Sequence, residues 1–240
     1  MSPDSNETVG SHKGLRAVGF DLDGTLVDSA PDIQAAANAF LAERGHGPLD
    51  LATIVSFVGN GVPVLLERVL TRVGEAAGPA EIAAALPRFN EIYGAAPSAL
   101  SRLYPSVEEA LAALRDAGFR LGVCTNKPAR PARQVLEDLG IGSYFTALVG
   151  GDSLKQRKPH PGPLRHLAGL LECDMSALAY VGDSQVDGAT AEAAGVPFFL
   201  FTEGYRHQPV EAIPKRAAFA DFAALPALLA ELRDSTQQEA

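Results

Sequence analysis

A chain of 240 residues is long enough for one large domain, or for one domain carrying a smaller insert, and for a sizeable core. Its 47% apolar and 20% charged residues fit a soluble globular protein, and a formal charge of −9 argues against a nucleic-acid groove. No apolar run reaches the roughly 18 residues of a membrane span, the first residues lack a signal-peptide core, and the two cysteines, Cys124 and Cys173, form no CxxC pattern, which fits a reducing cytoplasm.

In chain order, residues 1–13 read as a disordered tail. Ala17-Val18-Gly19-Phe20 reads as a short buried strand, followed at once by Asp21, Asp23, Gly24 and Thr25. Ser29 and Asp32 have the spacing of a capping box, with Pro31 in the first turn. Ile33, Ala36, Ala37, Phe40 and Leu41 then line one helical face. The loop Gly59-Asn60-Gly61 opens into a second stripe of Val62, Leu65, Leu66, Val69, Leu70 and Val73. Val107, Ala110, Leu111 and Leu114 mark a helix stopped at Gly118. Leu121-Gly122-Val123-Cys124 is a second strand, with Thr125 and Asn126 behind it. Val135, Leu136 and Leu139 form a shorter stripe that ends at Gly140. Ala147–Val149, Leu178–Val181 and Pro197–Phe201 are further strand-like runs. Lys158-Pro159 lies in the loop before the next helix, and Asp183 and Asp187 follow the fourth run.

Buried strands alternating with helices predict an α/β fold with a parallel sheet. One connection is too long. The first strand ends near Phe20 and the second begins near Arg120, yet a helix over about 106–117 suffices for the crossover. Residues 30–99 are therefore a helical insert between 14–29 and 100–240. It is expected above the carboxyl ends of the strands, where open α/β sheets bind ligands, and is a candidate lid.

Each special position follows a strand end, and in a parallel sheet those ends share one edge. Several carboxylates in one crevice repel one another unless a cation joins them. Oxygen ligands without thiolate favour a hard ion, and Mg²⁺ suits few carboxylates, waters and a phosphate. A lysine, a threonine hydroxyl and backbone N–H groups near Gly24 and Asn126 can bind phosphate oxygens. A strand-end aspartate can attack phosphorus, and a second carboxyl two residues on can serve the leaving oxygen and then the attacking water.

"DLDGTLVDS", Thr125-Asn126, Lys158-Pro159 and "GDSQVD", in that order, resemble the haloacid dehalogenase superfamily over about residues 15–225. The resemblance implies a Rossmann-like three-layer core with an inserted all-helical cap, Asp21 as nucleophile and Asp23 as general acid/base. It implies Mg²⁺ on the Asp21 side chain, the Asp23 backbone carbonyl and the Asp183 side chain, with Asp187 supporting the metal shell or Lys158. Thr125 and Lys158 would hold the phosphate, together with Gly24, Thr25 and Asn126. Asp23 argues against a dehalogenase, since a halide leaves without a proton. "FVGNGVPVLLERVL", "KPHPGPL" and "FTEGY" look like the bacterial phosphoglycolate phosphatases within this superfamily. That finer resemblance implies a small anionic phosphomonoester as substrate, 2-phosphoglycolate, in the glycolate-forming part of carbohydrate metabolism. Gly59-Asn60-Gly61 would recognise its carboxylate at a helix N-terminus. Monomer and homodimer both stay open.

Plainer readings stand beside these. Asp21-Leu22-Asp23-Gly24 alone could be an acidic turn or part of a calcium loop. Thr125-Asn126 could be a helix cap, Lys158 a solvated charge, and Asp183 with Asp187 a negative helix N-terminus. Gly59-Asn60-Gly61 could be a plain turn, Arg68 a solvent-facing or ion-paired side chain, and His160 either a substrate contact or a loop former. Cys124 reads as core. A β-phosphoglucomutase-like sugar-phosphate mutase, another small-phosphoester phosphatase and a non-catalytic phosphometabolite-binding protein are the rival functions.

Overall fold

The computed structural model of the chain describes residues 14–238; the tail expected over 1–13 lies outside them. The elements, in chain order, are β1 (Ala17–Phe20), β2 (Val27–Asp28), α1 (Ala30–Glu43), α2 (Leu51–Val55), α3 (Val62–Arg72), α4 (Pro79–Ala95) and β3 (Arg102–Leu103). They continue with α5 (Val107–Asp116), β4 (Arg120–Cys124), α6 (Ala129–Asp138), β5 (Phe145–Val149), α7 (Gly162–Leu170), β6 (Leu178–Gly182), α8 (Gln185–Ala194), β7 (Phe198–Phe201), β8 (Ala217–Phe219) and α9 (Leu225–Gln238).

Six strands form one sheet in the order β5-β4-β1-β6-β7-β8, and every pairing in it is parallel. All four residues of β1 are buried, because helices cover both faces of the sheet. One face carries the cluster of Val18, Phe20, Leu111, Leu114, Val123 and Phe201, and the other that of Ala17, Leu164, Leu167, Tyr180 and Leu200. The sheet grows outward from β1 in both directions, through β4 to β5 and through β6 to β7 and β8. The chain therefore reverses its winding beside β1, which opens a crevice at the carboxyl ends of β1, β4 and β6.

The helices α1–α4 close on an apolar cluster of their own, with Phe40, Leu41, Ile54, Leu66, Val69 and Phe89 at its centre. The two chain passages that flank them pair as a short antiparallel ribbon, Val27 opposite Leu103 and Asp28 opposite Arg102. Two-residue strands are too short to leave a period-2 pattern, so this ribbon has no signal in the sequence.

The capping box expected at Ser29 does not form. Ser29 has helical rather than extended dihedrals (φ −103°, ψ −4°), so its hydroxyl cannot reach back to the third amide of α1. It donates instead to Asp23 Oδ1 at 2.6 Å, and Asp32 turns away to accept from the Leu100 and Ser101 amides. Pro31 does sit in the first turn. A capping box is present at α8, where the Ser184 and Asp187 side chains each accept from the other's backbone amide.

Candidate active site

β1, β4 and β6 end side by side, and their next residues converge. Asp21 follows β1, Thr125 follows β4 and Asp183 follows β6. The Asp21 amide bonds the Val181 carbonyl at 2.9 Å and the Thr125 amide bonds the Val149 carbonyl at 3.0 Å, so the sheet's own ladder fixes both. Asp21, Asp183 and Asp187 each offer a carboxylate oxygen, and those oxygens lie within 4.8 Å of one another.

Lys158 is 4% exposed and sits beneath this cluster. Its Nζ lies 2.9 Å from Asp21 Oδ1, 2.6 Å from Asp187 Oδ1 and 2.9 Å from the Tyr180 hydroxyl. Its hydrogen bonds go to Asp187 and Tyr180, and Asp21 faces it as an ion pair. The solvated-charge reading of Lys158 fails on burial. Burial alone pulls its ammonium down, and Asp187 and Asp21 outweigh that and push it up.

The carboxylates differ in how fully they are satisfied. Asp187 accepts from Lys158 through Oδ1 and from the Ser184 amide and hydroxyl through Oδ2. It serves both the α8 cap and the lysine, so the plain and the functional reading of this residue hold together. Asp183 accepts from Thr25 Oγ1 at 2.7 Å and from the Tyr205 amide at 2.6 Å. Asp21 Oδ1 is buried and faces Lys158 at ion-pair distance, but no donor reaches it with hydrogen-bond geometry. Burial pushes the Asp21 carboxyl up to about 7 against the pull of Lys158, with Asp187 and Asp23 adding to the rise. Asp183 is raised well above the usual carboxylate range, by burial first and then by Asp187 and Asp21.

One lysine against three buried carboxylates leaves a negative excess with an under-satisfied oxygen at its centre. A divalent cation meets both needs, and the all-oxygen donor set suits a hard one. Asp187 is the member least free to bind it directly.

Asp23 stands one turn beyond. Ser29 Oγ donates to its Oδ1, and Lys127 Nζ lies 2.8 Å from the same oxygen. Gly24 and Thr25, expected against phosphate, are spent on the frame. The Gly24 amide bonds the Val27 carbonyl, and the Thr25 amide bonds the Leu22 carbonyl. Gly24 has φ +82°, and a Cβ there would lie 2.6 Å from Asp183 Oδ2, so a side chain would push that carboxylate aside.

A small cavity, partly open to solvent, rests on this floor. Asp21, Asp23, Thr125, Asn126 and Lys127 line it from the sheet side, and Ile33, Val58, Gly59, Gly61, Val62, Leu65, Phe89 and Tyr93 from the insert. Asn126 ties the two sides together. Its Nδ2 donates to the Gly59 and Lys158 carbonyls, and its Oδ1 accepts from the Lys158 amide. Of the glycine-flanked loop, Gly59 and Gly61 line the cavity, and Gly61 caps the N-terminus of α3, as expected, while the Asn60 side chain is engaged elsewhere. Its side chain accepts from Arg68 Nη2 at 3.0 Å, while Arg68 Nη1 donates to the Phe57 carbonyl, and Asn60 does not line the cavity. Arg68 is thus a strut of the loop. His160 Nδ1 accepts from the Gly162 amide, which makes it a loop former. Cys124 is fully buried, and burial pushes its thiol up to about 12, outside the reactive range.

Sequence reasoning passed over Lys127, Tyr93, Tyr180 and Tyr205. Lys127 had a signal, a lysine two residues past a strand-end threonine. Tyr205 ends the FTEGY stretch, but its contacts had no local signal, since its hydroxyl reaches Asp28 at 2.5 Å and the Ala30 amide at 2.9 Å across 177 and 175 residues of chain.

A family profile described as haloacid dehalogenase-like hydrolase matches residues 18–201. The chain is 53% identical over 218 residues to a phosphoglycolate phosphatase of Cereibacter sphaeroides, covering 91% of this chain and 99% of that one. It is 44% identical over 218 residues to a plasmid-encoded phosphoglycolate phosphatase of Cupriavidus necator, covering 90% and 94%. A crystal structure from Haemophilus somnus, of a protein assigned by prediction as a phosphoglycolate phosphatase, superposes with a TM-score of 0.83 at 33% identity, over 91% of this chain and 99% of that one. No helix among the described residues is long and apolar enough to cross a membrane.

Proposed function

The chain belongs to the haloacid dehalogenase-like hydrolases, and from that premise we propose that it is a Mg²⁺-dependent phosphatase that hydrolyses 2-phosphoglycolate to glycolate and phosphate. The observation that carries the chemistry is the buried, under-satisfied Asp21 held on Lys158 at the floor of a small cavity, with Asp23 two residues along. The 53% identical phosphoglycolate phosphatase supports the substrate.

Asp21 is the nucleophile. Lys158 and the β1–β6 ladder hold its carboxylate still, so attack starts from a fixed geometry. An Asp21 oxygen bonds to phosphorus, the bond from phosphorus to the glycolate oxygen breaks, and Asp23 gives that oxygen a proton. Asp23 is pinned through Oδ1 by Ser29 and Lys127, which leaves Oδ2 to carry the proton. Water, deprotonated by Asp23, then attacks the aspartyl-phosphate at phosphorus, releasing phosphate and restoring the Asp21 carboxylate. The Asp21 and Asp183 side chains and the Asp23 carbonyl would hold Mg²⁺, with Asp187 behind them. The ion neutralises phosphate charge when bound. Thr125 faces the phosphate from the end of β4, and Asn126 couples the loops of Gly59 and Lys158. Residues 30–99 act as a cap over the core of 14–29 and 100–240, closing to keep bulk water from the intermediate.

Phosphate release tests the proposal, with 2-phosphoglycolate, β-glucose 1-phosphate and a nucleotide as substrates, each with and without Mg²⁺. Release from 2-phosphoglycolate that needs Mg²⁺ and exceeds the other two is expected. Faster turnover of the sugar phosphate, or isomerisation without release, would overturn the assignment.

A further inference from the structure

Lys127 is 5% exposed and comes from the loop after β4, yet neither nucleophilic attack nor metal binding requires it. Its Nζ lies 2.8 Å from Asp23 Oδ1 and 4.7 Å from the centre of the Tyr93 ring, which α4 brings down from the insert. Its amide donates to Thr125 Oγ1 at 3.2 Å, so the loop that carries it is tied to the strand end. The ammonium is paired with the Asp23 carboxylate and flanked by the Tyr93 ring, so its charge has partners in the buried site.

The walls around it make this charge informative. Among the described residues, Lys127 is the one basic side chain lining the cavity, opposite Ile33, Val62, Leu65 and Phe89. A substrate that brings a second anionic group beside its phosphate meets apolar side chains on the insert side, where an unpaired carboxylate is costly. The ammonium has three N–H donors. Asp23 takes one and the Tyr93 face flanks another, so a donor is free to meet an incoming oxygen. The alternative is the glycine-flanked loop at the α3 N-terminus: Gly59 and Gly61 line the cavity there, while the Asn60 side-chain oxygen is taken by Arg68, so that loop could offer backbone amides but no charge.

We propose that Lys127 is the specificity-determining residue of the site: it binds the carboxylate of a two-carbon phosphoester while keeping Asp23 turned toward the leaving oxygen. The proposal rests on the phosphatase reading above. It places recognition of the carboxylate on the sheet side of the cavity, two residues from Thr125, and gives Tyr93 the task of covering that lysine when the insert is closed.

The test compares 2-phosphoglycolate with ethyl phosphate, which keeps the two-carbon skeleton and lacks the carboxylate. The quantity read is the ratio of their kcat/KM values in the wild type and in Lys127→Met, Lys127→Gln and Lys127→Arg. Both substrates are read in one sample, so a loss of folded protein cancels. The ratio is expected to fall by about 10- to 100-fold in the two neutral variants, chiefly through KM for 2-phosphoglycolate, as loss of a hydrogen bond to a charged group predicts. Lys127→Arg should recover part of it. A wild-type preference that survives in both neutral variants overturns the role of Lys127 and leaves the phosphatase reading standing. A wild type that hydrolyses both esters equally overturns the substrate reading together with the role of Lys127.

Discussion

The floor and the roof of the cavity are built on opposite principles. The floor is made of buried charges: Asp21, Lys158, Asp183 and Asp187 are each at most 7% exposed, and each is tied to its neighbours across the sheet edge. The roof is made of apolar side chains that belong to the insert's own cluster. Its polar ties to the floor include Asn126 to the Gly59 carbonyl, Lys127 against Tyr93, and the Tyr205 hydroxyl to the Ala30 amide. A charge network works only if every member is in place, because removing one strands the others in a dry site. An apolar wall tolerates smaller changes and can part from the floor without breaking its own core. Chemistry and the proposed reading of the carboxylate by Lys127 therefore belong to the floor, and closure to the roof.

The largest effect should come from the floor. Asp21→Asn keeps the shape and removes the proposed nucleophile, so kcat is expected to fall by roughly 10⁴- to 10⁶-fold with the circular dichroism spectrum unchanged. A variant that retains even a tenth of wild-type turnover would mean that another group attacks phosphorus.

A comparable insult to the roof should cost stability instead. Leu66 on α3 is fully buried in the insert's cluster, and Leu66→Ala is expected to destabilise the protein by about 3 kcal/mol. The expected rise in melting temperature with added Mg²⁺ should survive, since none of the carboxylates proposed to hold the ion changes. If the metal response is lost along with the insert's packing, floor and roof are one cooperative unit and not two.

The two regions also differed in how far the sequence disclosed them. The strand ends were legible because a buried apolar run followed at once by Asp, Thr or Gly-Asp is a local pattern, and one sheet edge gathers them. The stripes of α1 and α3 were legible for the same reason: Ile33, Ala36, Ala37, Phe40 and Leu41, and Leu65, Leu66, Val69 and Leu70, are all buried. What escaped was non-local. The pairing of Ser29 with Asp23, of Asp32 with Ser101 and of Tyr205 with Ala30 depends on where the insert's two ends meet, and no spacing encodes that. Lys127 escaped because a lysine next to a turn reads as solvated until its surroundings are known.

Removing the metal should expose the strain of the floor. Asp21 has its carboxyl raised to about 7 in the folded protein, mainly by burial, against an ordinary unfolded value near 4. A raised folded value means that folding takes up a proton. Its contribution to stability is full below the unfolded value and is lost as pH rises through about 7. Asp183 is shifted the same way. Chelated protein should therefore melt lower at pH 8 than at pH 6. Mg²⁺ should raise the melting temperature more at pH 8, by the equivalent of about 2.7 kcal/mol when its concentration is 100 times Kd. Asp183→Asn should abolish most of that increment. A larger Mg²⁺ effect at pH 6 than at pH 8 would contradict the assignment of the ion to these carboxylates.

The smallest expected effect lies where the roof meets solvent. Arg68 braces the glycine-flanked loop through the Phe57 carbonyl and Asn60 Oδ1, and both bonds are only partly buried. Arg68→Ala should cost about 1 kcal/mol, the usual net value of such bonds. The loop keeps its second anchor, because Asn126 still holds the Gly59 carbonyl from the floor. KM for 2-phosphoglycolate should rise several-fold with kcat nearly unchanged, the signature of a wall that has loosened over intact chemistry. Asn60→Ala should do the same, and the double variant should cost less than the two singles added, because they share one bond. Full additivity would mean that Asn60 has a partner other than Arg68, and a fall in kcat would mean that this loop reaches the reacting atoms.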